Sequence, residues 1–193
     1  MILIRLLTGL SALLTRIERL ALMLLVAAMA GFVLLNVGSR AMGRTLAWAD
    51  ELAVLAMTLA AFVGAALMLR ARTDSAVLIL HEMGRPGLVR GLRIMVSLLA
   101  AGFGAALIWM CWRWFDPLGL AATGFDVGEF EMTTFNFLYT ERTPVMGLFS
   151  WRFFLIMPWF AASITIHALA NLAEDLGLAE RAAGPGGMTT GEG

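Results

Sequence analysis

The chain contains no lysine: all fourteen of its basic residues are arginines, and fourteen acidic residues cancel them to a formal net charge of zero. Nothing basic is dense enough to neutralise a row of phosphates, so nucleic acid is excluded as a partner. Cysteine is reduced to Cys111, which rules out an internal disulfide and any multi-thiolate metal site. Only His81 and His167 could act as imidazole ligands, and only His167 falls in an apolar stretch, too little for a haem held by facing histidines. Also missing are His-Glu-x-x-His, Gly-x-Ser-x-Gly, Gly-x-x-x-x-Gly-Lys and Cys-x-x-Cys. The sequence therefore gives no foothold for an enzyme, a cofactor or a metal site.

What fills the 193 residues instead is hydrocarbon: 60% are hydrophobic and 15% charged, with a mean hydropathy of +0.83. Charges cut the chain into four apolar segments at about residues 20–39, 52–69, 94–112 and 153–173. Each is close to the ~20 residues that a helix needs to cross ~30 Å of hydrocarbon, and helix is the default where no water can satisfy the backbone. The fold expected is all-α, an integral membrane protein with four transmembrane helices plus short interfacial helices. Residues 1–176 would form one membrane domain and residues 177–193, which contain Gly184-Pro185-Gly186-Gly187, a flexible tail. Ala28-Met29-Ala30 resembles a signal-peptide cleavage site, but the apolar run continues through Leu35, so a spanning helix is the better reading.

Two stretches are too charged to span and apolar enough to rest at the headgroups, Met1 to Thr15 and Ala76 to Arg93. In the second, Gly84-Arg85-Pro86-Gly87 should end one helix and admit the next. Pro158 suits the first turn of the last helix. Arg5, Arg16, Arg19, the five arginines from Arg70 to Arg93, and Arg181 fall on one side of the membrane. Fewer fall on the other, which places both termini in the cytoplasm and the loop from Asp116 to Ser150 outside. Small residues recur at helical spacing at Ala27 and Gly31, at Ala56, Ala60 and Gly64, and at Ala101 with Ala105 and Gly102 with Ala106. In lipid, such stripes permit close helix packing. The spanning segments hold no arginine or carboxylate at mid-depth, and none is broken by paired Gly or Pro as transport sites often are.

One edge is different. Asn36-Val37-Gly38-Ser39-Arg40, then Trp48-Ala49-Asp50-Glu51, then Phe62 to Leu69 followed by Arg70, place polar and aromatic groups at the ends of the first two spans. This order resembles the small membrane subunit of the tripartite ATP-independent periplasmic (TRAP) transporters. In that family an Asn-x-x-x-Arg ends the first helix, a Trp-x-acid-Glu opens the second, and a Gly-Ala-rich stretch closes it before an arginine. Pro144 to Leu176 also resembles the family's last helix, with an aromatic lead-in and an acidic exit. Ala41-Met42-Gly43, Thr45 and Asp74 depart from the pattern, and the Asp116 to Ser150 loop is longer than in compact members.

The resemblance implies a subunit of the bacterial inner membrane that braces a large multi-spanning permease in sodium-coupled uptake of an organic acid. A periplasmic substrate-binding protein would deliver that acid. Membrane lipid is the other partner. Asn36, Arg40, Trp48, Asp50, Glu51, Gly64 and Arg70 are the residues expected at a partner interface or pinning helices together. Glu51 is expected to pair with Arg40 or with an arginine of a partner. The alternative is a structural subunit of another membrane complex, redox or photosynthetic.

Overall fold

The computed structural model describes residues 2–72 and 86–179. The chain forms α1 (Ile2–Ala41), α2 (Ala47–Ala71), α3 (Pro86–Phe115), α4 (Pro117–Ala122), α5 (Val127–Thr134), α6 (Trp151–Phe154) and α7 (Ile156–Asp175), with no strand among the described residues. Four helical stretches are long and apolar enough to cross a membrane, and each of the charge-free segments lies inside one of them. α1 packs on α2 and α3 packs on α7, and the two pairs are joined through α2 and α1 against α7.

α1 runs unbroken for 40 residues, about 60 Å at ~1.5 Å per residue. A surface segment ending near Thr15 was expected, and in the structure α1 continues through it without a break. Hydropathy changes at Arg16, but nothing there stops a helix. The stretch lacks proline, it is rich in Leu and Arg, and the hydroxyls of Thr8 and Thr15 bond back to the carbonyls of Ile4 and Ser11 at 3.1 and 2.8 Å. A charge marks where lipid ends; it does not mark where a helix ends. The surface helix expected within Ala76 to Arg93 and the tail beyond residue 179 lie outside the described residues, although α3 does begin at Pro86. Pro158 falls in the first turn of α7.

The packing inverts the pattern of a water-soluble bundle. The buried residues of α1 are Ser11, Glu18, Asn36 and Ser39, all polar, while Leu24, Leu34 and Val37 are exposed. Inside the chain, helices meet chiefly through polar groups and small residues, with few large apolar side chains buried. The exposed apolar exterior is what lipid, or another lipid-embedded protein, covers. α2 turns a small-residue face inward, with Ala49, Ala53, Ala56, Ala60 and Ala66 buried. Phe62 meets Phe160 of α7 edge-on at 5.2 Å.

On α3 the packing face is Ser97, Gly104 and Cys111, two turns apart, rather than the expected Ala101 and Ala105. A Cβ at Gly104 would stand 2.2 Å from the Thr165 hydroxyl, so this approach requires glycine. Gly102, Ala106, Ala27 and Gly31 lie on faces left exposed by the described residues.

Candidate functional site

The rim at the α1–α2 connection is built from two helix ends facing each other. Arg40 sits in the last turn of α1 and Asp50 in the first turn of α2, each at the helix end whose dipole favours its charge. They form an ion pair at 3.0 Å, and both side chains are more than half exposed. Asn36, buried one turn earlier, donates its amide to the same carboxylate. Trp48 is partly exposed and meets Phe32 edge-on at 6.4 Å, an indole at the level where amphipathic rings are favoured.

Asp50, not Glu51, is therefore the partner of Arg40, and the expected Glu51–Arg40 pair is corrected. Adjacent helical residues point about 100° apart, so once Asp50 faces α1, Glu51 turns elsewhere. It accepts from the backbone N–H groups of Val145 at 3.0 Å and Met146 at 2.8 Å, and from the Thr143 hydroxyl at 3.4 Å. Glu51 anchors the tip of the long loop onto the end of α2. The loop's base is fixed at the end of α3, where Tyr139 donates its hydroxyl to the Phe115 carbonyl at 2.6 Å. Phe115, Phe130 and Trp151 ring the same tyrosine.

At the opposite end, α2 and α7 are clamped. Arg70, nearly buried, donates to the Asn171 amide oxygen and to Glu174 at 2.7 Å. Arg72 closes α2 in a left-handed conformation, φ 54°, and reaches Asp175 at 2.6 Å, Glu174 at 3.5 Å and the Asn171 carbonyl at 2.8 Å. Asn171 returns a bond to the Leu69 carbonyl at 2.9 Å, adding a close donor to an acceptor that the end of α2 pairs only through the long Arg72 N–H bond at 3.4 Å. Arg90 of α3 joins through its Nε to the Asp175 carbonyl at 2.9 Å. Three helices thus share one charged knot, and the acidic exit of the last helix is its counter-charge.

A third polar tie connects α1 to α7. His167 and Glu18 are fully buried, with His167 Nε2 3.0 Å from the Glu18 carboxylate and Nδ1 2.8 Å from the Ser11 hydroxyl. Ser163 donates to the second Glu18 oxygen. With the proton on Nε2, the ring donates to Glu18 and accepts from Ser11, and every polar atom of the four side chains that faces this contact has a partner. No group of three or more metal-ligating side chains occurs among the described residues.

Helices that span, polar ties that hold them to each other, and an apolar exterior describe a membrane subunit built to pack. A family model described as tripartite ATP-independent periplasmic transporters, DctQ component, matches residues 29–178. The chain belongs to the DctQ family. It is a small subunit of a TRAP transporter, a transport component and not a member of an enzyme family. No curated protein and no solved structure matches it.

In this DctQ chain the matched region contains the rim, the clamp, Ser163 and His167, while Ser11 and Glu18 precede it. Of the residues singled out from sequence, Asn36, Arg40 and Asp50 come together at the rim, with Trp48 one turn away, and Glu51 turns to the loop. Arg70 lies in the clamp. Gly64 faces α1, where a Cβ would find Leu22 at 3.9 Å, an ordinary contact that does not demand glycine. Sequence reading missed Glu18, Arg72, Asn171, Glu174 and Asp175. Its signal for Glu18 was present: a single carboxylate two residues ahead of an uncharged run, with serine seven residues before it.

Two outcomes are expected here. Glu51→Ala should release the loop tip and speed amide exchange at Val145 and Met146 at least tenfold, whereas Asp50→Asn should change stability by only about 0.5 kcal/mol, because its ion pair is solvated. Equal exchange in both variants would contradict the assignment of Glu51 to the loop. Tyr139 is the only tyrosine in the chain, so phenolate absorbance reads it alone. Burial, and secondarily the charge of Asp116, hold its pKa above the ordinary value of 10.0. Its contribution to stability is complete below the unfolded-state value and lost as pH rises through the folded one. A midpoint at or below that of free phenol would refute the half-buried setting of this tyrosine.

Proposed function

We propose that this DctQ chain braces the large multi-spanning permease of its transporter in the bacterial inner membrane. It would do so during sodium-coupled uptake of an organic acid delivered by a periplasmic binding protein. The observation that carries the reading is the inverted packing of α1, whose buried residues are all polar and whose apolar side chains, Leu24, Leu34 and Val37 among them, are exposed among the described residues. Such a helix gains nothing by transporting a polar solute and presents what a neighbouring membrane helix packs against. Exposed small residues at Ala27 and Gly31 allow that neighbour to come close. The arginine distribution supports cytoplasmic termini and a periplasmic loop, which would bring the acids of the loop to the side where the binding protein arrives.

Co-purification from solubilised membranes tests the assembly. The tagged chain should recover the large permease in constant ratio. Ala27→Leu with Gly31→Leu should reduce recovery several-fold without unfolding the chain, since neither residue is buried in it. A chain that elutes alone, folded, from membranes containing the permease would overturn the reading. In a Cys111→Ser background, an impermeant thiol reagent applied from the periplasm should modify Thr123→Cys and spare Leu178→Cys.

A further inference from the structure

The loop between α3 and α6 carries large apolar side chains that nothing among the described residues covers. Leu118 is 67% exposed, Phe125 71%, Phe135 79% and Phe137 56%. Two of them also occupy backbone conformations that a Cβ disfavours: Phe125 at φ 65° and Phe135 at φ 53°. The other left-handed positions hold glycine, at Gly43, Gly124, Gly147 and Gly177, or a charged residue, at Arg72 and Asp116, and none holds another apolar side chain among the described residues. A ring placed at such a position and pointed away from the core is doubly unfavourable in water, through strain and through exposed hydrocarbon.

Depth decides what covers these rings. Asn136 stands between Phe135 and Phe137, and its amide donates to the Trp114 carbonyl at 2.7 Å, in the last turn of α3. Both phenylalanines are therefore tied within one residue of the end of a spanning helix. That end is marked by exposed Trp109, Trp112 and Trp114, the residue type that gathers at the boundary between hydrocarbon and headgroups. Leu118 follows the same helix end after Asp116 and Pro117. Phe130, by contrast, is buried against Tyr139, and Glu129 and Thr133 are exposed on a different side of α5, so the loop has an inward face and a solvated face besides its apolar edge.

We propose that this edge is a membrane anchor: Leu118, Phe125, Phe135 and Phe137 insert into the headgroup–acyl boundary of the leaflet on the loop's side. Lipid is the occupant because Leu118, Phe135 and Phe137 stand at the tryptophan-bearing end of α3, and Phe125 is held by its N–H on the Leu120 carbonyl at 3.0 Å, in the same short helix as Leu118. The loop then fixes the tilt of α3 and, through Glu51, keeps its tip over α2. The inference rests on the spanning helices alone and does not depend on which protein the subunit braces.

Nitroxide accessibility tests it on the full chain, with Cys111→Ser and single cysteines at Phe125, Phe135, Phe137, Glu129 or Thr133. The chain is reconstituted in vesicles of phosphatidylethanolamine and phosphatidylglycerol. Labels at the three phenylalanine positions should collide with oxygen several-fold more, relative to a water-soluble nickel chelate, than labels at Glu129 and Thr133. Equal ratios at all five positions would overturn the proposal. So would ratios at the phenylalanines that turn apolar only when the permease or the binding protein is added, which would make the edge a protein-docking surface. Phe135→Gly supplies a second readout. It relieves the left-handed strain, so a higher thermal stability in vesicles would contradict the anchor, and a lower one is expected.

Discussion

Replacing either member of the Glu18–His167 pair with alanine should cost the solubilised chain about 2–3 kcal/mol, among the largest single-residue effects in the molecule. Both side chains are fully buried, so removal of one leaves the other without its partner and without water. His167→Ala strands the Ser11 hydroxyl and one oxygen of Glu18, and Glu18→Ala strands Ser163 and the ring Nε2. Hydrogen bonds between membrane helices contribute only ~0.6 kcal/mol on average, so the loss comes chiefly from the orphaned group and little from the bond itself. The double substitution Glu18→Leu with His167→Leu removes both polar groups and should be milder than either alanine variant. Denaturant unfolding of the wild type, Glu18→Leu, His167→Leu and the double leucine variant forms the cycle. Additive costs would show that the two residues do not interact.

Arg70→Met should be comparably severe, at about 3 kcal/mol, and should loosen α2 from α7. The guanidinium serves Asn171 and Glu174 at once, and without it Glu174 keeps Arg72 at 3.5 Å as its remaining ion pair at the α2 end. Arg70→Lys keeps the charge and loses the two-pronged geometry, so it should recover only part of the stability. Arg40→Met provides the contrast. That arginine also ends a helix and pairs with an acid, but solvent screens the pair, and the expected cost is below about 1 kcal/mol. Equal costs at Arg40 and Arg70 would mean that the clamp is no more buried than the rim.

The four spans were legible because hydropathy and length leave one solution in lipid. The rim was legible because helix ends attract charges of known sign and interfaces attract tryptophan. Reading failed where a residue's role depends on which helix faces it. Glu18 looked like part of a charged flank, since Arg16 and Arg19 surround it, yet α1 continues through the flank and rotates Glu18 onto α7. Asp50 and Glu51 are neighbours of identical charge, and only the direction of α1 across α2 decides which meets Arg40. Glu174 and Asp175 read as a helix exit, because their partners lie some hundred residues away in sequence. Gly104 was hidden among abundant small residues, and only the approach of Thr165 distinguishes it from Gly102.

Sodium-driven uptake in proteoliposomes addresses the subunit's role most directly, with vesicles holding this chain alone, the large permease alone, or both, and the loaded binding protein outside. A bracing subunit predicts no accumulation by this chain alone and accumulation when both membrane subunits are present. Accumulation by this chain alone, or undiminished uptake by the permease without it, would contradict that role.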